Sequence, residues 1–260
     1  MISNRSCPIC NNKQSERIDA YSPEEWELVS CKQCSFVYLL NPPKYEALEE
    51  EFSWEKLYVQ KKLKGGSTAF SSVARRLRSL THRQGRSRLE RSAFNWFGQG
   101  KVLDVGCGNI IRTQAPIIPF GIEISKALHA EVDQEMRTRG GYCLHSSGAD
   151  GVWDFDANYF DGAILHSYLE HEADPNRVLS GLHRCLKPGA QVFVRVPNYG
   201  SINRRIVGRK WCGFRHPDHV NYFDVVSLRK IAQKHSFNLK VLNKLTIYFD
   251  DNINALLVKV

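Results

Sequence analysis

An α/β fold, in which helices cover a mostly parallel sheet behind a small cysteine-built module, is predicted by three features of the sequence. From Lys101 onward, apolar runs of strand length alternate with helical runs, the pattern of a parallel sheet crossed by helices. Two of those strands close on an acid, Asp104 and Glu123, and glycines follow the first. Near the N-terminus, two Cys-x-x-Cys pairs stand twenty residues apart.

With 260 residues, 42% of them hydrophobic and 24% charged, the chain can bury a full core and has the make-up of a soluble globular protein. No run of about 18 apolar residues predicts a membrane span. The start MISNRSCPIC lacks the apolar stretch of a secretory signal, so a cytoplasmic location is expected. The net charge of +9 is concentrated: Lys56 to Arg91 holds eleven Lys/Arg against one acid, Glu90, leaving the rest of the chain near neutral. A generally basic, nucleic-acid-binding surface is therefore not expected.

Residues 1–43 form the expected cysteine module. Cys7, Cys10, Cys31 and Cys34 can present four thiolates from two tight knuckles, the donor set of a tetrahedral structural Zn²⁺. Pro8 in the first pair and Lys32-Gln33 in the second suit turns whose amides face sulfur. Four thiolates close the shell and disfavour a catalytic zinc, and neither pair lies at the strand-to-helix junction of a redox motif. The other four cysteines are scattered, as in a reducing compartment. Ser35 to Leu40 reads as a strand stopped by Asn41-Pro42-Pro43.

Residues 44–97 read as a basic helical connector, with Phe70, Val73, Leu77 and Leu80 on one face and Arg75, Arg76 and Arg78 off it. Those arginines fit either a solvated face or a platform for an anionic substrate or nucleic acid. Trp96 and Phe97 are expected to pack against the main domain, residues 98–260.

That domain opens with KVLDV, a short helical region and PFGIEI, followed by helix SKALHAEVDQEMRTR and strands YCLHSS and FDGAILH. A helix around PNRVLSGLHRCL, the strand AQVFVRVP and a closing hairpin from FNLKVLNKL to ALLVKV complete it. In such sheets ligands bind at the carboxyl ends of the strands. There Asp104-Val-Gly106-Cys-Gly108 turns sharply, and Glu123 is placed to accept both ribose hydroxyls. A dinucleotide fingerprint would need a third glycine where Ile111 stands, and an acid ahead of the glycines is a poor neighbour for pyrophosphate. It suits the sulfonium and amino group of S-adenosylmethionine.

LDVGCG, GIEIS, FDGAILHSYLEH, DPNRVLSGLHRCLKPGA and VFVRVPN together resemble the class I S-adenosylmethionine-dependent methyltransferases, over roughly residues 100 to 260. The resemblance implies a Rossmann-like methyltransferase fold, a mostly parallel seven-stranded sheet with a C-terminal antiparallel strand, preceded here by a zinc-ribbon-like module. It implies S-adenosylmethionine as cofactor, with Asp104, Gly106, Cys107 and Gly108 against its methionine part, Glu123 on the ribose and Ile124 beside the adenine. Ala149 stands where the family places an adenine-binding Asp, with Asp150 next to it, and His166 and Ser167 would close over the cofactor. The module's exit, CxxCSFVYLLNPP, is similar to a bacterial subgroup associated with sugar, polysaccharide or secondary-metabolite tailoring. Two departures stand out: Ile110 replaces the usual third glycine, and Pro116 and Pro119 crowd a shortened interval, so the first helix should be stunted.

Methyl transfer aligns acceptor, methyl and sulfur, and a base removes the acceptor's proton where it has one. His171, His216, His219 and Tyr222 are the candidates for base or substrate ligand. His129, His145, His183 and His235 read as packing or solvated residues. Arg204, Arg205, Arg209, Lys210 and Arg215 lie between Ser201 and Pro217 with no acid, where they would suit an anionic acceptor. A small-molecule or saccharide acceptor is expected; a nucleic-acid methyltransferase and a degenerate, non-catalytic binding fold are the alternatives.

Overall fold

The computed structural model describes residues 4–23, 25–43 and 95–260. The arginines predicted to line the connector lie outside these residues. The main sheet has seven strands in the order β10-β11-β8-β7-β4-β5-β6. Its members are β4 (Lys101–Val105), β5 (Ile118–Glu123), β6 (Cys143–His145), β7 (Phe160–His166), β8 (Leu186–Pro197), β10 (Phe237–Val241) and β11 (Asn252–Lys259). Only β11 runs antiparallel, to both β8 and β10. The Rossmann-like methyltransferase fold expected from the sequence is therefore present.

Helix boundaries follow local chemistry. Ser125 caps α1 (Lys126–Thr138) by accepting from the Leu128 amide, and Leu128, Val132 and Met136 turn inward at helical spacing. Ser147 caps the one-turn α2 (Gly148–Gly151). Asp174 caps α3 (Pro175–Cys185), where Pro175 occupies the first turn, whose amides lack helical partners in any case. The short α4 (Ile202–Val207) lies in the basic insertion after β8, and α5 (Val225–Lys234) starts from a capping box between Asp224 and Ser227.

Between β4 and β5, where a stunted helix was expected, the chain makes turns and no helix. Pro116 lacks the amide hydrogen a helix would use there, and Pro119 is already inside β5, paired with Val102.

The cysteine module builds a second sheet, β1 (Ser15–Arg17), β2 (Leu28–Cys31) and β3 (Val37–Leu39), to which the main domain adds β9 (Asn221–Tyr222). Its residues Cys7, Val29, Phe36 and Tyr38 belong to the same buried cluster as Leu103, Leu165 and Val194 of the large sheet. As expected, Phe97 is buried, and Trp96 stacks on Phe193 with ring centroids 5.0 Å apart. No described helix is long and apolar enough to cross a membrane.

Candidate functional site

Strand order reverses at β4, with β5 and β6 on one side and β7 and β8 on the other, so the carboxyl ends of β4, β5 and β7 frame the crevice where such folds take ligands. Gly106 (φ +67°) and Gly108 (φ +61°) both use left-handed backbone, which glycine adopts without strain. At Gly106 an added Cβ would come within 2.5 Å of the Tyr168 ring. Gly108 instead faces open space, with nothing within 4 Å of such a Cβ, so a ligand can approach the backbone.

Asp104 and Glu123 flank this loop, and both are buried. Arg112 donates to Asp104 Oδ2 at 2.6 Å and to the Cys107 carbonyl at 3.0 Å. Burial pushes the Asp104 carboxyl above its ordinary pKa, against the opposing pull of Arg112. Its other oxygen, Oδ1, is buried with no hydrogen-bond partner. Glu123 accepts from the Gly108 amide at 2.7 Å and the Ser125 amide at 2.8 Å, so its carboxylate holds the glycine loop against the start of α1. Each carboxylate oxygen has a second lone pair that can still accept a ribose hydroxyl. An orphaned buried acceptor, an open glycine and a strand-end acid fit a nucleoside carrying a cationic amino-acid arm.

Cys107 lies buried under the loop, its Sγ 3.7 Å from that of Cys143. The Ile124 carbonyl accepts from His145 Nε2 at 2.8 Å. Ala149 is buried in α2, while exposed Asp150 is engaged by Ser147 at 2.8 Å and Arg177 at 3.1 Å. His166 ends β7 stacked on Phe193, and Ser167 follows with φ +55°.

The four candidate acid–base residues fall into two pairs. His171 and His219 meet at nearly right angles, ring centroids 4.7 Å apart. Each sets its Nδ1 on a backbone carbonyl, His171 on Asp218 and His219 on Gly213, both at 2.8 Å. A carbonyl only accepts, so Nδ1 carries the hydrogen and Nε2 the lone pair in each neutral ring. Burial lowers the pKa of His171 to about 4 and that of His219 to about 3, which keeps both rings neutral. His216 and Tyr222 form the second pair, Nδ1 to Oη 3.4 Å. Tyr222 lines a cleft of about 270 Å³ with Tyr199, Phe36 and Lys230, and burial raises its pKa.

Two residues that sequence reasoning did not single out stand out here, Arg112 beside Asp104 and Glu170 beside the two histidines. Arg112 lies in a loop with no periodicity, so only folding reveals its ion pair with Asp104. Glu170, between Leu169 and His171, is fully buried, and burial raises its pKa to about 8. An acid four residues past the end of an apolar strand and beside a histidine was the available signal.

The basic insertion is held by its aromatics. Trp211 is buried and donates to Asp251 Oδ1 at 2.8 Å, and Phe214 stacks on Tyr21 at 4.6 Å. Some of its cations are engaged internally: Arg204 lies 4.0 Å over the Tyr199 ring, Arg209 reaches the Ala20 carbonyl, and Arg215 pairs with Asp218 at 3.1 Å. His129 and His145 are bonded to backbone carbonyls and His235 to Asn176 and Ser180, in keeping with packing roles.

In the cysteine module, whose Cys34 lines the same cleft as Tyr222, the Cys7 and Cys34 sulfurs lie 3.5 Å apart, as do those of Cys10 and Cys31. All four lie within 4.8 Å of one another. Amides of Ile9 and Cys10 face Cys7, and amides of Gln33 and Cys34 face Cys31, the arrangement expected of metal-binding knuckles. Around a tetrahedral ion with bonds of ~2.3 Å, sulfurs stand about 3.8 Å apart, so the donor set fits a zinc ion.

A family model described as a methyltransferase domain matches residues 70–242. The ubiquinone biosynthesis O-methyltransferase of Pseudomonas syringae pv. tomato is 34% identical over 110 residues, 40% of this chain and 45% of that protein. The enzyme of the same name from Pseudomonas fluorescens is 33% identical over 110 residues. The chain thus spans less than half the length of the curated relatives it matches. Among solved structures, a SAM-dependent methyltransferase from Archaeoglobus fulgidus superposes with a TM-score of 0.54 at 16% identity, covering 80% of this chain and 100% of that one. A SAM-dependent methyltransferase from Thermotoga maritima gives 0.52 at 18% identity, covering 70% and 92%. With the family model spanning the crevice and both of its acids, the chain belongs to the methyltransferase-domain family.

Proposed function

We propose that the protein transfers a methyl group from S-adenosylmethionine to an anionic small-molecule or saccharide acceptor, and that its four N-terminal thiolates hold a structural zinc. The observation that carries the first reading is the pair of buried strand-end acids, Asp104 with its orphaned oxygen and Glu123, on either side of an open glycine loop. When bound, S-adenosylmethionine supplies an electrophilic methyl on a sulfonium.

The chain's own residues would then do the following. Asp104 receives the amino-acid arm and Glu123 the ribose, while Gly108 lets the backbone come close. His171 and His219, neutral and fixed in one tautomer, face the acceptor with Nε2 and handle its proton. Arg205 and Lys210 in the insertion, beside the internally engaged Arg204, Arg209 and Arg215, supply positive charge for an anionic acceptor. The O-methyltransferase names of the Pseudomonas relatives favour an oxygen acceptor.

Calorimetric titration with S-adenosylmethionine and S-adenosylhomocysteine tests the cofactor reading. Binding by the intact protein should weaken at least about tenfold, roughly 1.4 kcal/mol, in both Asp104→Ala and Glu123→Gln. If the folded wild-type protein binds neither compound, the reading fails and a non-catalytic binding fold takes its place.

A further inference from the structure

Glu170, His171 and His219 form a compact cluster that the mechanism above uses only in part. One ligand atom of each residue lies within 4.8 Å of the others. Glu170 is 1% exposed, and its Oε2 has no hydrogen-bond partner. A buried carboxylate oxygen without a partner is costly, so such an atom calls for an explanation. Arg195 and Arg215 act on this carboxylate only at a distance, and Arg215 is paired with Asp218 at 3.1 Å.

The two imidazoles are presented as metal ligands are. Each ring has its Nδ1 tied to a backbone carbonyl at 2.8 Å, which fixes its orientation and leaves Nε2 as the basic nitrogen. Metal-bound histidines typically have this outer-shell partner. Local folding enforces the arrangement: the Val220 and Asn221 amides both donate to the Glu170 carbonyl, at 2.7 and 3.1 Å, so the loop bearing His219 is pinned to the loop bearing Glu170 and His171.

We propose that Glu170, His171 and His219 bind one divalent first-row transition-metal ion beside the methyl-transfer crevice, distinct from the zinc of the four-cysteine site. Two imidazoles and one carboxylate leave coordination positions open, and this N/O donor set suits Mn²⁺, Fe²⁺, Co²⁺ or Zn²⁺ rather than a thiolate-bound ion. Binding of the ion stands on these three residues alone; its use rests on the methyltransferase reading. In that use the ion takes the Nε2 lone pairs of both rings, so the acceptor hydroxyl gives its proton to water in place of a histidine, and the cation holds the oxyanion. The oxygen lone pair then forms the new O–CH₃ bond as the methyl–sulfur bond breaks, leaving a neutral thioether.

Co²⁺ is a suitable probe because its spectrum distinguishes sulfur from N/O ligands. The full chain, loaded with zinc, is dialysed against Co²⁺, and both metals are counted. The wild-type protein should keep one zinc and gain one cobalt, with weak visible bands and no sulfur-to-cobalt charge transfer. Glu170→Gln and His219→Gln should each weaken cobalt binding at least about tenfold while retaining the zinc, and His145→Gln should leave it unchanged. Two variants at different loops guard against one that fails to fold, and retained zinc with an unchanged thermal melt identifies a folded one. The proposal is overturned if cobalt appears only in exchange for zinc, if folded Glu170→Gln and His219→Gln bind it as the wild type does, or if His145→Gln loses it equally. Titration with S-adenosylmethionine on the same samples keeps the two readings apart: cobalt bound without cofactor binding would sink the methyltransferase reading and leave the metal site standing.

Discussion

Arg112 and Asp104 show how one side-chain pair can hold a site ready. Both are largely buried, with side chains 13% and 7% exposed, so neither charge is well solvated and each depends on the other. Removing one partner of such a pair strands the other, at a cost of about 3 kcal/mol or more. Arg112→Ala should therefore lower the urea midpoint of unfolding markedly, and Arg112→Ala with Asp104→Asn should recover most of that loss. An equal loss in single and double variants would mean that the ion pair is not the cause. At Gly106, left-handed backbone and the nearby Tyr168 ring both oppose a side chain, so Gly106→Ala should destabilise by about 1–3 kcal/mol and also weaken the cofactor. The strand-end acids were legible in the sequence because they sit at fixed places in an apolar pattern. Arg112 and Glu170 were not, since their importance comes from burial and from partners that folding brings to them.

Between elements, single polar side chains do the joining. Asp251, just before β11, accepts from Trp211 Nε1 at 2.8 Å, Ser201 Oγ at 3.0 Å and Asn203 Nδ2 at 2.7 Å, and so fastens the start of the basic insertion to its Trp211 anchor. Asp251→Ala leaves a buried indole N–H unpaired, at a cost of about 1–3 kcal/mol. It should raise the acceptor KM while leaving cofactor affinity near wild type; a change confined to cofactor affinity would remove the insertion from the acceptor site. His235 ties the end of α5 to α3 through Ser180 at 3.0 Å and Asn176 at 2.9 Å. Burial lowers its pKa below 6.5, so between that lowered value and 6.5 the unfolded chain binds a proton that the folded one excludes. Its contribution is present above about pH 6.5 and is lost as pH falls. His235→Gln should accordingly lose less stability than wild type between pH 7.5 and 5.0, measured as the change in urea midpoint; an equal loss would show that His235 does not titrate in this way. The long elements were readable from hydrophobic period and caps, down to the bounds of β7, Phe160–His166. The two-residue β9 was not, because nothing local marks Asn221–Tyr222 as a partner for Val37 and Tyr38.

On the scale of the whole molecule, β9 and Arg5 join the cysteine-bearing sheet to the methyltransferase sheet. The Arg5 guanidinium donates to the Leu39 carbonyl and the Ala173 carbonyl, each at 2.9 Å, and to Asn221 Oδ1 at 3.0 Å. Asn221 in turn donates to the Leu169 and Glu172 carbonyls at 2.8 and 2.7 Å, on either side of Glu170 and His171. A short path of hydrogen bonds thus runs from the cysteine sheet to the loop carrying the candidate catalytic histidine. Because the two sheets also share one buried cluster, neither should melt alone. Calorimetry should show a single transition whose van't Hoff and calorimetric enthalpies agree, and stripping metal from the four thiolates should lower that one midpoint and weaken cofactor binding together. Two resolved transitions, with the higher one and the cofactor affinity untouched by the chelator, would show instead that the cysteine module is an independent appendage.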